Sequence, residues 1–366
     1  MKKLLFVVPT WNLGGTEKVN VAVAEALSKN YAVDLVTLST PDKSLFHSSV
    51  NLEGKSTAQY QWFLRLAGLS GLLKLKAMVR FFIQRQSKFV EQKISKTTYD
   101  TVIFSGPAIL LIPFIKNRGK TKLIAWCHNS ATRYLGGYFR YTTEFLTDGL
   151  CQADKVICLT SQDMTAFSRF NANISVLHNP ITIKADKVSD LVAPVISWTG
   201  RLDNPHKGLD YLAEIASLLP EGWRISVAGK GNLPLFRKWV RRFKVEDKIS
   251  YRGSLTGEAL KKHYGESSIY LMTSRWEGLP LVLIEAMSFG LPIVAFEQSG
   301  SSEVLENGDY GLLAPNGDVH ALFCQLKKLI EDSKMRALYQ QKSLQRVKDF
   351  EMHQIIQEWD RLLNED

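Results

Sequence analysis

The sequence predicts an α/β protein made of two doubly wound halves. Three observations carry that expectation. Short apolar runs alternate with helix-patterned stretches along most of the chain, the signature of parallel strand–helix–strand units. At 366 residues the chain is too long for one typical core, so two domains are expected. A polar stretch at residues 184–193 separates two such alternating series and reads as the linker.

In the first half, residues 4–8 form a buried strand. The opening nine residues have two lysines and only a short apolar run before Pro9, which fits a first strand better than a secretion signal. A turn with Gly14 and Gly15 follows, then a helix with Val19, Val23 and Ala26 on its apolar face. The glycine pair lets backbone approach a ligand at the first turn of a doubly wound sheet. It is neither a GxGxxG fingerprint nor a P-loop. Residues 33–38 are the second strand, and 42–59 are poorly patterned. Residues 101–104 and 122–127 are further strands, separated by an apolar segment at 108–115. The second of these strands delivers His128 and Asn129 to the end of the sheet where α/β proteins bind ligands. Arg133, Tyr134, Tyr138 and Arg140 follow in a glycine-containing loop. Strands at 155–159 and 174–177 complete the half.

The net charge is +10, and it belongs to this half: residues 1–195 carry 24 Lys+Arg against 13 Asp+Glu. Much of it lies between Arg65 and Lys96. There a helical wheel puts Leu72, Leu75, Val79, Phe82, Phe89 and Val90 on one face. Lys74, Arg80, Arg85 and Lys88 lie opposite, with Phe81 among them. Such a helix packs its apolar face on a sheet and leaves the basic face solvated, or it lays the basic face on anionic lipid, helped by Trp62 and Phe63. No stretch has the roughly 18 apolar residues a membrane-spanning helix needs. The four cysteines, Cys127, Cys151, Cys158 and Cys324, show no zinc spacing and read as reduced thiols. With no RNA or DNA motif present, nucleic acid is not an expected partner.

The second half alternates again: strands at 195–199, 224–228, 249–252 and 269–272, with helices at 209–218, 233–243 and 257–264. Gly200-Arg201-Leu202 ends one strand, and Lys207-Gly208-Leu209 opens the next helix. Two cations and a helix start together suit a diphosphate. Next comes Ser274-Arg275-Trp276-Glu277-Gly278-Leu279-Pro280, then a helix from Leu281 stopped by Gly290 and Pro292. Free N–H groups near Leu281 and Val282 can hold phosphate oxygens. Glu277 on the loop and Glu285 one turn into the helix can accept hydrogen bonds from hydroxyls. Taken alone, two acids eight residues apart are weak evidence of a site, and read more readily as a solvated loop residue and a helix-dipole partner.

The string as a whole resembles the acid–seven–acid segment of retaining glycosyltransferases of the GT-B fold, glycosyltransferase family 4 in particular. The resemblance extends to Ile284-Glu285-Ala286-Met287 and Gly290-Leu291-Pro292, and more loosely along nearly the whole chain. It implies two Rossmann-like domains facing across a cleft. The acceptor-binding domain would span residues 1–184 and the nucleotide-sugar domain 185–349. A terminal helix, 350–366, would return to the first domain. It also implies that Arg201 and Lys207 neutralise the leaving nucleotide diphosphate, that Glu277 orients the donor sugar, and that His128 contacts donor sugar or phosphate. Gly14, Gly15, Gly229, Gly231, Arg252, Gly278, Leu281, Val282 and Glu285 would complete the donor site. The family's usual acid beside the histidine is replaced here by Asn129.

The sequence contains no Asp-x-Asp, so the cations are expected to do the work of a metal, and no cofactor is expected besides the nucleotide-sugar co-substrate. The expected enzyme takes a sugar from a nucleotide donor of the UDP-sugar kind. It passes it with retention to a lipid-linked glycan in lipopolysaccharide, O-antigen or capsule assembly. It would sit in the cytoplasm, peripheral to the inner face of the membrane, with Lys74, Arg80, Phe81, Arg85, Lys88 and Arg133 facing lipid or acceptor. The alternatives are a soluble sugar or protein acceptor, and a catalytically silent binding protein on the same fold. The latter would be expected to have lost some of Arg201, Lys207, Glu277 and Glu285, all of which are present.

Overall fold

A computed structural model describes residues 1–9, 14–38, 50–54, 73–139, 142–203 and 205–365. The chain divides into two compact units, Met1–Pro180 with Met352–Asp366, and Ile181–Glu351. Each is an α/β unit around one parallel sheet.

The first sheet has seven strands: β1 (Lys3–Val8), β2 (Ala32–Thr37), β3 (Asn51–Gly54), β4 (Thr101–Ser105), β5 (Lys122–Trp126), β6 (Lys155–Cys158) and β7 (Ile174–Val176). Their spatial order is β3-β2-β1-β4-β5-β6-β7, with every pairing parallel. The continuous apolar runs of β1 and β4 follow from burial on both faces: Leu4–Val8 and Val102–Phe104 are all fully buried. The order reverses between β1 and β4, so the ligand-facing switch point lies where Gly14 and Ser105 leave the sheet. The apolar segment after β4 is a tight 3₁₀ helix, Gly106–Phe114, with Pro113 inside it. The terminal helix Met352–Asn364 belongs to this unit. Its Trp359 packs edge-on against Trp126 at 4.9 Å and against Phe6 at 6.2 Å. Lys2 and Tyr31 hold its end through Leu363 O and Asn364.

The second sheet has six strands: β8 (Val195–Thr199), β9 (Arg224–Ala228), β10 (Ile249–Tyr251), β11 (Ile269–Met272), β12 (Ile293–Phe296) and β13 (Leu312–Ala314). Their order, β10-β9-β8-β11-β12-β13, is again parallel throughout and reverses between β8 and β11. The chain passes between the units at Pro180–Ile181 and Glu351–Met352. The polar stretch read as a linker therefore lies in the second unit. Ser189 fixes it there, its N–H bonded to Phe289 O and its hydroxyl to Ser267 O at 2.6 Å, with Leu191 buried.

Candidate functional site

The second unit's switch point gathers the ends of β8, β9, β11 and β12. After β8, Gly200 approaches Gly229 after β9 so closely that a Cβ on Gly229 would lie 1.7 Å from Gly200 O. Gly231 bridges Leu202 in the same way, so the two loops run as a backbone pair with no room for side chains. Gly208 adopts a left-handed φ of 61° and caps the helix Leu209–Leu218. A Cβ there would meet Thr273 O at 2.2 Å. The helix start is thereby pressed onto the end of β11, and Lys207 comes up beside the loop 274–280.

That contact makes the centre of the site. Lys207 Nζ lies 2.5 Å from Glu277 Oε1, and His206 Nε2 lies 3.5 Å from the same oxygen. The Lys207 and Glu277 side chains are each 12% exposed, so the pair sits in a largely dehydrated setting. Burial pushes the Glu277 carboxyl upward. The Lys207 ammonium and the His206 ring outweigh that push and hold it well below the usual carboxylate range. Glu277 is thus a fixed anion. Its remaining lone pairs can accept from a hydroxyl, and Lys207 keeps two N–H donors for other oxygens.

The loop that carries Glu277 is clamped on both sides. Arg275 forms a two-pronged pair with Asp210, at 2.6 and 3.0 Å, and lies over the Tyr211 ring at 3.9 Å. The Trp276 indole stacks on the His206 ring, 6° from parallel, and Trp276 O bonds His206 Nε2 at 2.8 Å. From β12, Gln298 Oε1 accepts from Glu277 N at 3.0 Å while also capping the helix Ser299–Val304. A Cβ on Gly300 would meet Gly278 O at 2.4 Å, so that helix also needs its glycine to approach the loop. These contacts hold the Glu277 carboxylate in one place before any ligand arrives.

In the first unit, the corresponding switch point collects a second polar group. His128, at the end of β5, is buried and packs on Trp126 at 4.3 Å between ring centres. Burial lowers its pKa to about 3, so the ring is neutral at physiological pH. Asn20, from the helix Gly15–Leu27 after the glycine turn, donates to Thr16 O and to Ser105 Oγ, both at 2.8 Å. Its amide nitrogen lies 3.5 Å from His128 Nε2. Tyr134 OH receives the His128 N–H at 3.2 Å.

Residues 193–332 match the family model described as glycosyl transferases group 1. An uncharacterized glycosyltransferase of Haemophilus influenzae is 28% identical, over 99% of this chain and 100% of that protein. A Campylobacter jejuni protein is 26% identical over 100% and 99% of the two chains; its name is GalNAc-alpha-(1->4)-GalNAc-alpha-(1->3)-diNAcBac-PP-undecaprenol alpha-1,4-N-acetyl-D-galactosaminyltransferase. Among solved structures, TarM superposes with a TM-score of 0.79 at 14% identity, over 100% of this chain and 99% of the other. Anabaena HepE in complex with UDP-glucose does so at 0.77 and 18%, over 99% of both. The chain has the GT-B fold, and its second unit matches the glycosyl transferases group 1 model.

The protein brings together most of the residues expected from its sequence. Arg201, Lys207, Gly229, Gly231, Glu277 and Gly278 meet at the second switch point, and the helix Leu281–Ser288 starts beside them. Leu281 and Val282 are half-buried there. Arg201 reaches outward: its side chain is 66% exposed, and Asp203 lies 3.6 Å from it. Arg252 is exposed after β10, and Gly253 O accepts from Gly229 N at 2.7 Å. Glu285 departs from the simple expectation of an open carboxylate. It is 6% exposed and accepts from Tyr264 OH at 2.9 Å and Thr182 Oγ1 at 3.1 Å, so both oxygens already have donors within the unit.

Gly14 and Gly15 open the helix Gly15–Leu27, and the residues just before them lie outside the described residues. On the helix Leu73–Lys96, Val79 and Val90 are buried, Phe82 and Phe89 pack on the core, and Arg80, Arg85 and Lys88 are exposed with Phe81 at 60%. Trp62, Phe63, Arg65, Leu72 and Arg140 lie outside the described residues, as do the side chains of Lys74 and Leu75. Arg133 is half-buried over the Tyr138 ring at 5.7 Å. The sequence reading missed His206, Asp210, Gln298 and Asn20. His206 alone had a local signal, standing next to Lys207.

Proposed function

We propose that this protein moves a sugar from a UDP-sugar to a lipid-linked glycan acceptor in the assembly of a bacterial envelope polysaccharide. In this reading the anomeric configuration is retained and no metal ion takes part. The observation that carries it is the Lys207–Glu277 pair at 2.5 Å, clamped at the switch point beside a helix start.

The chemistry follows from charge. Breaking a glycosyl–phosphate bond leaves negative charge on the diphosphate. Lys207, the open fork of Arg201 and the first amides of the helix Leu281–Ser288 stabilise that charge as it develops. Glu277, kept anionic by Lys207, accepts from donor-sugar hydroxyls and orients the ring. In the first unit, His128 is neutral and can offer a hydrogen bond without carrying charge. Glu285 offers its remaining lone pairs to the ribose. No side-chain nucleophile is assigned, because a front-side displacement lets the leaving phosphate take the acceptor proton.

Several relatives support the choice of substrates. Structures of Anabaena HepE hold UDP and UDP-glucose. The Campylobacter relative is named for an undecaprenyl-diphosphate-linked acceptor. Erwinia amylovora AmsD, 28% identical over 58% of this chain, is named for amylovoran biosynthesis. The exposed Arg80, Phe81, Arg85 and Lys88 give the first unit a face suited to anionic lipid, each cation contributing about 1 kcal/mol near such a surface. Such a protein would work at the cytoplasmic face of the membrane, where lipid-linked acceptors and sugar nucleotides meet.

The acceptor clause is tested by offering the same glycan in two forms, free and linked to undecaprenyl diphosphate in vesicles, with one UDP-sugar at saturation. Transfer to the lipid-linked form should dominate. Equal rates on both would contradict a lipid-linked acceptor while leaving the donor chemistry standing.

A further inference from the structure

The helix Leu233–Phe243 of the second unit carries a wholly cationic face. Arg237, Lys238, Arg241 and Arg242 are exposed along it, and Lys244, also exposed, ends it in the left-handed conformation (φ 54°). The opposite face is apolar: Phe236 is buried, and Leu233, Trp239, Val240 and Phe243 pack against the core. No acid occurs anywhere between residues 230 and 245. Arg237–Arg241 and Lys238–Arg242 are therefore like-charge neighbours one turn apart, an arrangement that weakens a helix. Other helices of this unit do the opposite. Lys261 pairs with Glu258, Lys262 with Glu266 and Lys327 with Glu331. Among the described residues none of the five cations on this face has an ion-pair partner. Arg241 and Arg242 sit in the last turn and gain from the helix dipole, which leaves Arg237 and Lys238 without that reason.

We propose that this face docks electrostatically on an anionic phospholipid bilayer, giving the second unit a membrane contact of its own. Charge complementarity is the argument: an uncompensated cationic strip lowers its self-repulsion on a plane of headgroup phosphates. A nucleic-acid strand is the lesser fit. The helix exposes no large apolar or aromatic side chain on which bases could stack. The choice of lipid also rests on the lipid-linked acceptor proposed above.

The test uses the full chain with vesicles of phosphatidylcholine alone or mixed with phosphatidylglycerol. It compares the parent with the variant R237S/K238S/R241S/R242S, and with R80S/R85S/K88S as the first-unit counterpart. All these side chains are exposed, so both variants should fold, which circular dichroism checks. Each cation near an anionic surface is expected to contribute about fivefold, so the four-site variant should bind phosphatidylglycerol vesicles at least about 100-fold more weakly. High salt should abolish the difference. Parental binding by that variant would overturn the proposal. So would equal binding to phosphatidylcholine alone, or capture of a single-stranded RNA without vesicle binding. Hydrolysis of a soluble UDP-sugar, followed in parallel, keeps the two claims apart. Lost vesicle binding with no donor turnover even in the parent would retain the docking face and refute the transfer reading.

Discussion

Lys207→Met is expected to lower kcat for sugar transfer by about 100- to 1000-fold, the usual cost of deleting one donor aimed at developing charge. Of the two cations assigned to the diphosphate, Lys207 is held in place before the donor binds, by Glu277 at 2.5 Å and by the close packing of Gly208 on Thr273. Arg201, with its side chain 66% exposed, must order itself on the ligand and should show a smaller loss when replaced. The same change has a second consequence at Glu277. With the ammonium gone, only His206 still opposes burial, and the carboxyl should titrate at higher pH than in the parent. Initial rates across a pH series, with Lys207→Arg as the charge-keeping control, read both effects. A variant with unchanged kcat would remove Lys207 from the chemistry.

Glu277→Gln should weaken kcat/KM by about 10- to 100-fold, the worth of a charge-assisted hydrogen bond to a sugar hydroxyl. It should also cost roughly 1–3 kcal/mol of stability, because Lys207 is left facing a neutral amide in a largely buried setting. The pH dependence has a definite sign. The folded carboxyl titrates below its unfolded value of about 4.3, so its contribution is fully present above that value. It is lost as pH falls through the lower folded value, because the unfolded chain takes up the proton first. Parent and Glu277→Gln stability curves should therefore run parallel from about pH 5 to 8 and converge in acid. Curves already converging at neutral pH would show that the ion pair does not hold in solution.

The fold was largely legible because its signals are local. The apolar runs of β1, β4, β8 and β11, and glycines such as Gly208 at a helix start, announce strand–turn–helix units without knowledge of anything distant. Glu277 and Glu285 were legible through a contiguous string, and Lys207 through the Lys207-Gly208-Leu209 helix start. The clamps were not. Arg275 meets Asp210 across 65 residues, Thr182 meets Glu285 across 103, and Asn20 meets Ser105 across 85. Such pairs leave no periodicity or spacing in the sequence, since the sheet order creates them. The same reason explains Glu285. Its helix position was readable, but its enclosure by Tyr264 and Thr182 was not. Truncation to alanine there would strand the Tyr264 hydroxyl in the core as well as empty the site. Gln is the cleaner replacement, since either hydroxyl can turn to accept from its amide.

The Trp276–His206 stack is the feature that ties these parts into one account. It joins the loop bearing Glu277 to the residue beside Lys207, so sugar orientation and charge neutralisation share one rigid support. The most direct measurement is incubation of the purified protein with UDP-, GDP- and ADP-sugars in EDTA, with NMR of the released or transferred sugar. Turnover of a UDP-sugar without metal is expected, with the anomeric configuration of the donor retained. Turnover only on addition of a divalent cation, or an inverted product, would contradict it.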